Sequence, residues 1–137
     1  MKISVIGCGY VGCVTGVCFA DLGHEVVLVD VDRAKVSAII AGQSPIYEPG
    51  LDELMRKNRD RISATTDLTP AVGSTDITFV AVGTPSDEDG AIDLRYVLGA
   101  CEEIGQALVE GDNYHVVVVK STVFPGTTKE KAAPVLE

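Results

Sequence analysis

Gly7-Cys8-Gly9-Tyr10-Val11-Gly12 is the stretch whose chemistry is most legible. Three glycines at this spacing let the chain turn tightly, bring bare backbone up to a pyrophosphate, and let the next helix pack close on the preceding strand. That helix aims its unpaired N–H groups and the positive end of its dipole at the phosphates. Asp30 stands at about the 20-residue offset where a carboxylate accepts hydrogen bonds from ribose hydroxyls. The glycines alone fit a tight strand-to-helix turn with no ligand. The acid after the second apolar run points instead to dinucleotide binding. A carboxylate there also repels a 2′-phosphate, so NAD is expected over NADP, although Arg33 is placed where an arginine can accept that phosphate.

Three further side chains have more than one local reading. Lys35 falls one turn into the second helix, near the adenosine end of such a ligand, where a lysine also serves simply as a solvated charge. Thr84 follows an apolar run at the carboxyl end of a central strand, the edge at which open α/β sheets bind ligands, and its hydroxyl serves equally for capping or a turn. Cys8 lies inside the glycine turn, where an oxidised or alkylated side chain would obstruct a cofactor. Together with Cys13, Cys18 and Cys101 it forms no Cys-x-x-Cys pair, and all four read as small buried hydrophobes in a reducing compartment.

These residues need a scaffold, and the hydrophobic pattern supplies one. Apolar runs at 3–6, 26–29, 62–65, 77–82 and 115–120 read as strands. Between them, 10–22 reads as a helix with Gly12, Gly16 and Ala20 along one face, and 32–41 as a helix capped by Asp32 and ended by Gly42. Pro45-Ile46-Tyr47-Glu48-Pro49-Gly50 is a rigid, partly apolar loop before a helix at 51–58. Asp67 is placed to cap a brief helix through Val72. Asp93 is placed to cap a long one over 94–109, with Val97, Leu98, Cys101, Ile104, Ala107 and Leu108 on its apolar side. Thr127 or Thr128 starts a last helical stretch. Strands alternating with helices imply an α/β doubly wound parallel sheet, five strands in order 3-2-1-4-5 with the sixth of a full dinucleotide fold missing, and one domain over 1–137.

Composition narrows the function classes. With 46% hydrophobic and 23% charged residues, the 137-residue chain is an ordinary globular domain. A net charge of −9 argues against nucleic acid or an anionic membrane as partner, because both are held by clustered Lys and Arg. With neither a leader pattern nor an apolar run near the roughly 18 residues of a membrane span, the expected location is cytoplasmic. The acidic run Asp87-Glu88-Asp89-Gly90 does not make a calcium loop, since placing Gly90 at the loop's glycine position puts Pro85 at its first ligand position. It reads as a solvated turn, and no metal is expected.

Val5-Ile6-Gly7-Cys8-Gly9-Tyr10-Val11-Gly12, Pro45-Ile46-Tyr47-Glu48-Pro49-Gly50-Leu51, Val82-Gly83-Thr84-Pro85 and Lys120-Ser121-Thr122-Val123 together resemble the UDP-glucose/GDP-mannose dehydrogenase family over essentially the whole chain. The resemblance implies NAD as cofactor and a role in polysaccharide biosynthesis. The reaction it implies is oxidation of a sugar nucleotide's C6 alcohol to a carboxylate in two NAD-dependent steps, through an aldehyde and a cysteine-bound thioester. It further implies that Gly7, Gly9, Tyr10, Val11 and Gly12 meet the cofactor at the glycine turn, that Asp30 holds the adenosine ribose, and that Lys35 contacts the same end. Thr84 and Thr122 would approach the ribose and nicotinamide side, Thr122 also helping to order a catalytic water.

The family's nucleophilic cysteine, its oxyanion-stabilising lysine and asparagine, the glutamate after its sixth strand, and its sugar-nucleotide domain all lie beyond the position of Glu137. The resemblance therefore implies an N-terminal cofactor-binding fragment, inactive alone, whose sugar-nucleotide substrate is held by the missing C-terminal part. UDP-glucose is expected first as the commoner activity. Residues 83–96 and Pro125-Gly126-Thr127 lean toward the bacterial GDP-mannose branch. A free-standing NAD-binding module without catalysis is the alternative of another class. With its sixth strand missing, the run 115–120 becomes a sheet edge, so a homo-oligomer is expected.

Overall fold

Strand β1 (Lys2–Ile6) is apolar enough to be covered on both sides, and four of its five residues are buried. In the computed structural model, which describes residues 1–109, 111 and 114–137, it is the centre of a five-stranded sheet ordered β3-β2-β1-β4-β5. Its companions are β2 (Glu25–Val29), β3 (Ile62–Thr65), β4 (Ile77–Val80) and β5 (Val116–Val119), and every pairing is parallel. Parallel neighbours require crossover connections, and helices supply them. The expected α/β doubly wound order is what the chain adopts.

Alternation along the strands sends successive side chains to opposite helical layers. Ile3, Val5, Val26 and Leu28 pack with Cys13 and Val17 of α1 (Tyr10–Asp21) and with Leu51 and Met55 of α3 (Leu51–Lys57). Ile6, Val29 and Val80 pack with Leu68 and Val72 of α4 (Leu68–Gly73) and with Val97, Cys101 and Ile104 of α5 (Arg95–Leu108). Each fully buried aliphatic side chain of this kind contributes roughly 1.5–3 kcal/mol. The helix α2 (Arg33–Ile40) begins as expected: the Asp32 carboxylate accepts the Ala34 N–H at 2.8 Å.

Several boundaries differ from the sequence reading. β4 stops at Val80, because β1 ends at Ile6 and only the Ala81 N–H still finds a carbonyl there, at 2.8 Å. Asp67 occupies the residue before α4 but its side chain does not cap it. Its own N–H donates to Thr65 Oγ1 at 3.0 Å. Asp93 lies one residue outside the cap position, which Leu94 holds; its carboxylate accepts the Arg95 N–H at 3.0 Å and pairs with the Arg95 guanidinium at 2.6 Å. Cys18 is exposed on α1, unlike the other three cysteines. The last helical stretch starts with a π-type turn at Thr128–Ala132 and finishes as α6 (Ala133–Leu136), with Pro134, which has no N–H to donate, in its first turn. The acidic run is a turn: Asp87 accepts the Asp89 and Ala91 N–H groups at 3.0 and 2.8 Å.

One polar chain is built into the sheet near its amino-terminal edge. Thr75 Oγ1 donates to Ser4 Oγ at 3.0 Å, Ser4 Oγ bonds Thr78 Oγ1 at 2.7 Å, and Thr78 Oγ1 bonds His115 Nε2 at 2.8 Å. Burial holds the His115 imidazole below its ordinary 6.5, against weaker upward pulls from a hydrogen bond with the Thr75 backbone and from the Asp76 carboxylate. The unfolded chain therefore binds this proton more tightly than the folded one. The stability His115 contributes is complete above pH 6.5 and falls as the pH drops below it. Between about pH 7.5 and about pH 5.5 the urea midpoint of the wild type should fall further than that of His115→Gln. Equal falls would show that His115 is not the titrating group.

Candidate active site at the carboxyl edge

The glycine turn is threaded between the ends of β2 and β4. The Gly7 N–H donates to the Val29 carbonyl at 2.7 Å, and Gly7 takes φ +100°, which glycine alone adopts without strain. A Cβ there would lie 2.6 Å from the Ala81 carbonyl oxygen. Gly12 is buried beneath the turn, and a Cβ on it would fall onto the Gly7 carbonyl oxygen. Gly16 and Ala20 continue that face of α1 into the core against β2. Gly9 is different. No atom lies within 4 Å of where its Cβ would be, so it offers bare backbone to open space.

Asp30 clamps this turn. One oxygen of its carboxylate accepts the Cys8 N–H at 2.7 Å, and the other accepts the Asp32 N–H at 2.9 Å. Lys35 Nζ stands 3.8 Å from the same carboxylate, whose side chain is only 10% exposed. Each oxygen keeps acceptor capacity for a second donor. Helix α1 begins immediately after Gly9, with no side-chain cap and no acid in its first turn, so its leading N–H groups are left for a ligand.

These features open on one cleft of about 690 Å³ at the carboxyl edge of the sheet. Gly7, Gly9, Tyr10, Val11, Asp30, Lys35, Thr84 and Thr122 all line it. Gly12 does not; its place is in the packing of α1 against the turn. Ser121 Oγ donates to the Val82 carbonyl at 2.7 Å, tying together the segments that carry Thr84 and Thr122. The cleft wall carries Lys35, Arg95 and Lys120 with Asp30 and Glu103, Lys35 standing by Asp30 and Arg95 paired to Asp93. Glycine cradle, exposed helix N-terminus and ribose-height carboxylate fit a dinucleotide. A second cavity of about 470 Å³ lies at the opposite edge, around Met1, Lys2 and Asp76, and lacks the glycine cradle.

The sequence reading missed part of the wall: Thr66, Leu68, Tyr96, Gly99, Ala100 and Glu103. The last four recur at helical spacing, a signal overshadowed by the stronger apolar face of the same helix. Cys8 is the small buried hydrophobe expected, but it does not face the cofactor cleft. Its side chain is fully buried under the turn, Sγ 3.6 Å from the Val29 carbonyl, and is no part of the cleft wall. Burial, reinforced by the Asp30 carboxylate, pushes its thiol up to about 12, and burial pushes Cys13 up to about 11. Thiol labelling of the folded chain near pH 8 should therefore modify Cys18 quickly and spare Cys8, Cys13 and Cys101 until unfolding. Fast labelling of Cys8 would contradict its burial.

Residues 1–137 match, end to end, the model of the UDP-glucose/GDP-mannose dehydrogenase family, NAD binding domain. The chain belongs to this family. It is 47% identical to the GDP-mannose 6-dehydrogenase of Pseudomonas aeruginosa, over 100% of its own length and 32% of that protein. It is 53% identical to the UDP-glucose 6-dehydrogenase of Rhizobium meliloti, over 95% of its length and 30% of that protein. The crystal structure of a ternary complex of GDP-mannose dehydrogenase from Pseudomonas aeruginosa superposes with a TM-score of 0.97 at 47% identity, covering 100% of this chain and 32% of that one. A UDP-glucose dehydrogenase from Pyrobaculum islandicum gives 0.95 at 46% identity, covering 98% of this chain and 32% of that one. The chain thus spans about a third of these UDP-glucose/GDP-mannose dehydrogenase family members, 32% or less.

Proposed function

We propose that residues 1–137 are the NAD-holding domain of a longer nucleotide-sugar 6-dehydrogenase, one that oxidises the C6 alcohol of UDP-glucose or GDP-mannose to a carboxylate. Relatives with either activity match at similar identity, 47% and 53%, so both substrates stay in the proposal. Such an enzyme serves polysaccharide biosynthesis in the cytoplasm; among the described residues no helix is long and apolar enough to cross a membrane. NAD, when bound, supplies the hydride acceptor.

The chain's own residues bind and orient. The Gly7 to Gly12 turn and the first N–H groups of α1 hold the pyrophosphate, with Tyr10 and Val11 beside it. Asp30 accepts the adenosine ribose hydroxyls with the lone pairs its backbone bonds leave over, and Lys35 steadies that end. Thr84 and Thr122 donate or accept on the nicotinamide side, Thr122 also ordering a water. The observation that carries this reading is the Asp30 clamp, because it sets a carboxylate, an ammonium group and the glycine cradle on one cleft. Self-association along β5, paired only to β4 among the described residues, completes the proposal.

The test is to measure NAD binding by calorimetry and NADH formation by absorbance on the purified chain, with the full-length protein as control. The chain should bind NAD and form no NADH with either sugar nucleotide. Positioning of the sugar, which supplies roughly 7–11 kcal/mol of barrier lowering in reactions of this kind, is assigned to the rest of the protein. Turnover by the chain alone would overturn that division.

A further inference from the structure

We infer that the loop between α2 and α3 is a rigid docking surface, anchored by Tyr47, for the part of the enzyme that follows Glu137 in the chain and holds the sugar nucleotide. The inference rests on the reading above that the chain continues into such a part, and goes beyond it by naming where the two meet.

The loop's position follows from its neighbours. Ser44, ahead of α3, lies beside the Cys13 thiol in the first turn of α1. At the other end of the same two helices, Lys57 Nζ and Asn58 Nδ2 donate to Asp21 Oδ1 at 2.8 and 2.9 Å. α3 therefore runs alongside α1 in the same direction, and both start at the carboxyl edge of the sheet, where the cofactor cleft opens. Residues 44–50 stand on that edge, about one turn of α1 away from Tyr10 in the cleft wall, while Tyr47 is no part of that wall.

The loop is held from below and left bare above. Asp52 Oδ1 accepts the Ser44 N–H at 2.6 Å, Ser44 Oγ donates to the Ile46 carbonyl at 2.6 Å, and the Glu48 carbonyl accepts the Leu51 N–H at 3.1 Å. Pro45 and Pro49 each lock a φ angle. Ile46 packs onto the core cluster that contains Cys13, Leu51 and Met55. A loop that merely joined α2 to α3 would need none of this order, yet the next side chain, Tyr47, is 85% exposed. An aromatic side chain on a backbone fixed in advance loses little freedom on association, which is why tyrosine so often anchors an interface. Glu48 and Pro49 are exposed beside it, and Glu48 makes no ion pair among the described residues. Such a surface suits an apolar pocket with a Lys or Arg at its rim.

The occupant follows from the reaction. The chain spans 32% of the GDP-mannose 6-dehydrogenase it matches. Whatever holds the sugar C6 against the nicotinamide has to come down on the carboxyl edge, because the cleft opens there, and the loop stands ready on the same edge.

Hydroxyl-radical footprinting read by mass spectrometry, on the purified chain and on the full-length protein, measures the contact. Tyr47 should be oxidised readily in the chain at every concentration and at least about fivefold more slowly in the full-length protein, where an interface core excludes water. In the full-length protein Tyr47→Ala should lower kcat/KM for the sugar nucleotide by about tenfold or more, and Tyr47→Phe, which keeps the ring, by no more than about twofold. In the chain alone Tyr47→Ala should leave the urea midpoint and the NAD affinity unchanged, because so exposed a side chain supports neither. A merely structural role would move those two instead. Equal oxidation of Tyr47 in the two proteins, or full kcat/KM in Tyr47→Ala, would overturn this assignment and leave the NAD reading intact. Protection that grows with the concentration of the chain alone would give the loop to a second copy and overturn it as well. A full-length protein that binds no NAD would overturn the NAD reading and this assignment with it.

Discussion

Gly12→Ala is expected to destabilise the chain by about 3 kcal/mol or more, whereas Gly9→Ala should cost almost nothing in stability and still weaken NAD by at least about tenfold. The two glycines stand three residues apart in one turn, but their surroundings are opposite. A methyl group on Gly12 falls onto the Gly7 carbonyl oxygen, with the Ala81 side chain 3.3 Å away, and backbone on that side cannot yield without moving β1 and β4 apart. A methyl group on Gly9 meets no protein atom within 4 Å, and its backbone, at φ −79° and ψ −166°, is one that alanine adopts freely. It would project where bare backbone is needed. Urea unfolding with calorimetry on both variants separates the two effects. A Gly12→Ala chain as stable as the wild type, or a Gly9→Ala chain with full affinity, would show that the turn is not built as described.

The second large effect is on cofactor choice. The wild type should favour NAD over NADP by about a hundredfold or more, since like charges brought together in a specific site cost several kcal/mol. Asp30→Ala should reduce that preference to within a few-fold, leaving Lys35 and the exposed Arg33 near the position of a 2′-phosphate. The same variant strips two backbone amides, Cys8 and Asp32, of their acceptor, so it should also lower stability by roughly 1–3 kcal/mol. Titration of both dinucleotides on both chains checks this. Equal affinity of the wild type for NAD and NADP would mean that Asp30 does not face the ribose.

What could be read from the sequence and what could not divides along a physical line. Strand order, the glycine turn, Asp30 and the Asp32 cap were legible because each rests on a local pattern: alternation, glycine spacing, or an acid at the head of a helix. Asp67 and Asp93 carry the same signal and do not deliver the same bond, because one side chain turns away and the other caps from one residue too far. The clamp from Asp30 to Cys8 is a contact across 22 residues, and no local pattern reports it. The second stripe of α5 was hidden for a different reason. Val97, Cys101 and Ile104 dominate the helix's periodicity, so the neighbouring stripe of small and polar residues registers only once the cleft is seen. Leu98, expected on the apolar side, is only half-buried.

NAD is proposed to occupy the cleft at the carboxyl edge, built by the glycine turn and Asp30. Backbone amide shifts followed by NMR while NAD is added to the isotope-labelled chain test it most directly. The largest changes should fall on residues 7–12, 30–35, 83–84 and 121–122, with the amide of Cys8, held by Asp30, among them. Changes centred instead on the cavity at the opposite edge, around Lys2 and residues 73–76, would contradict the account.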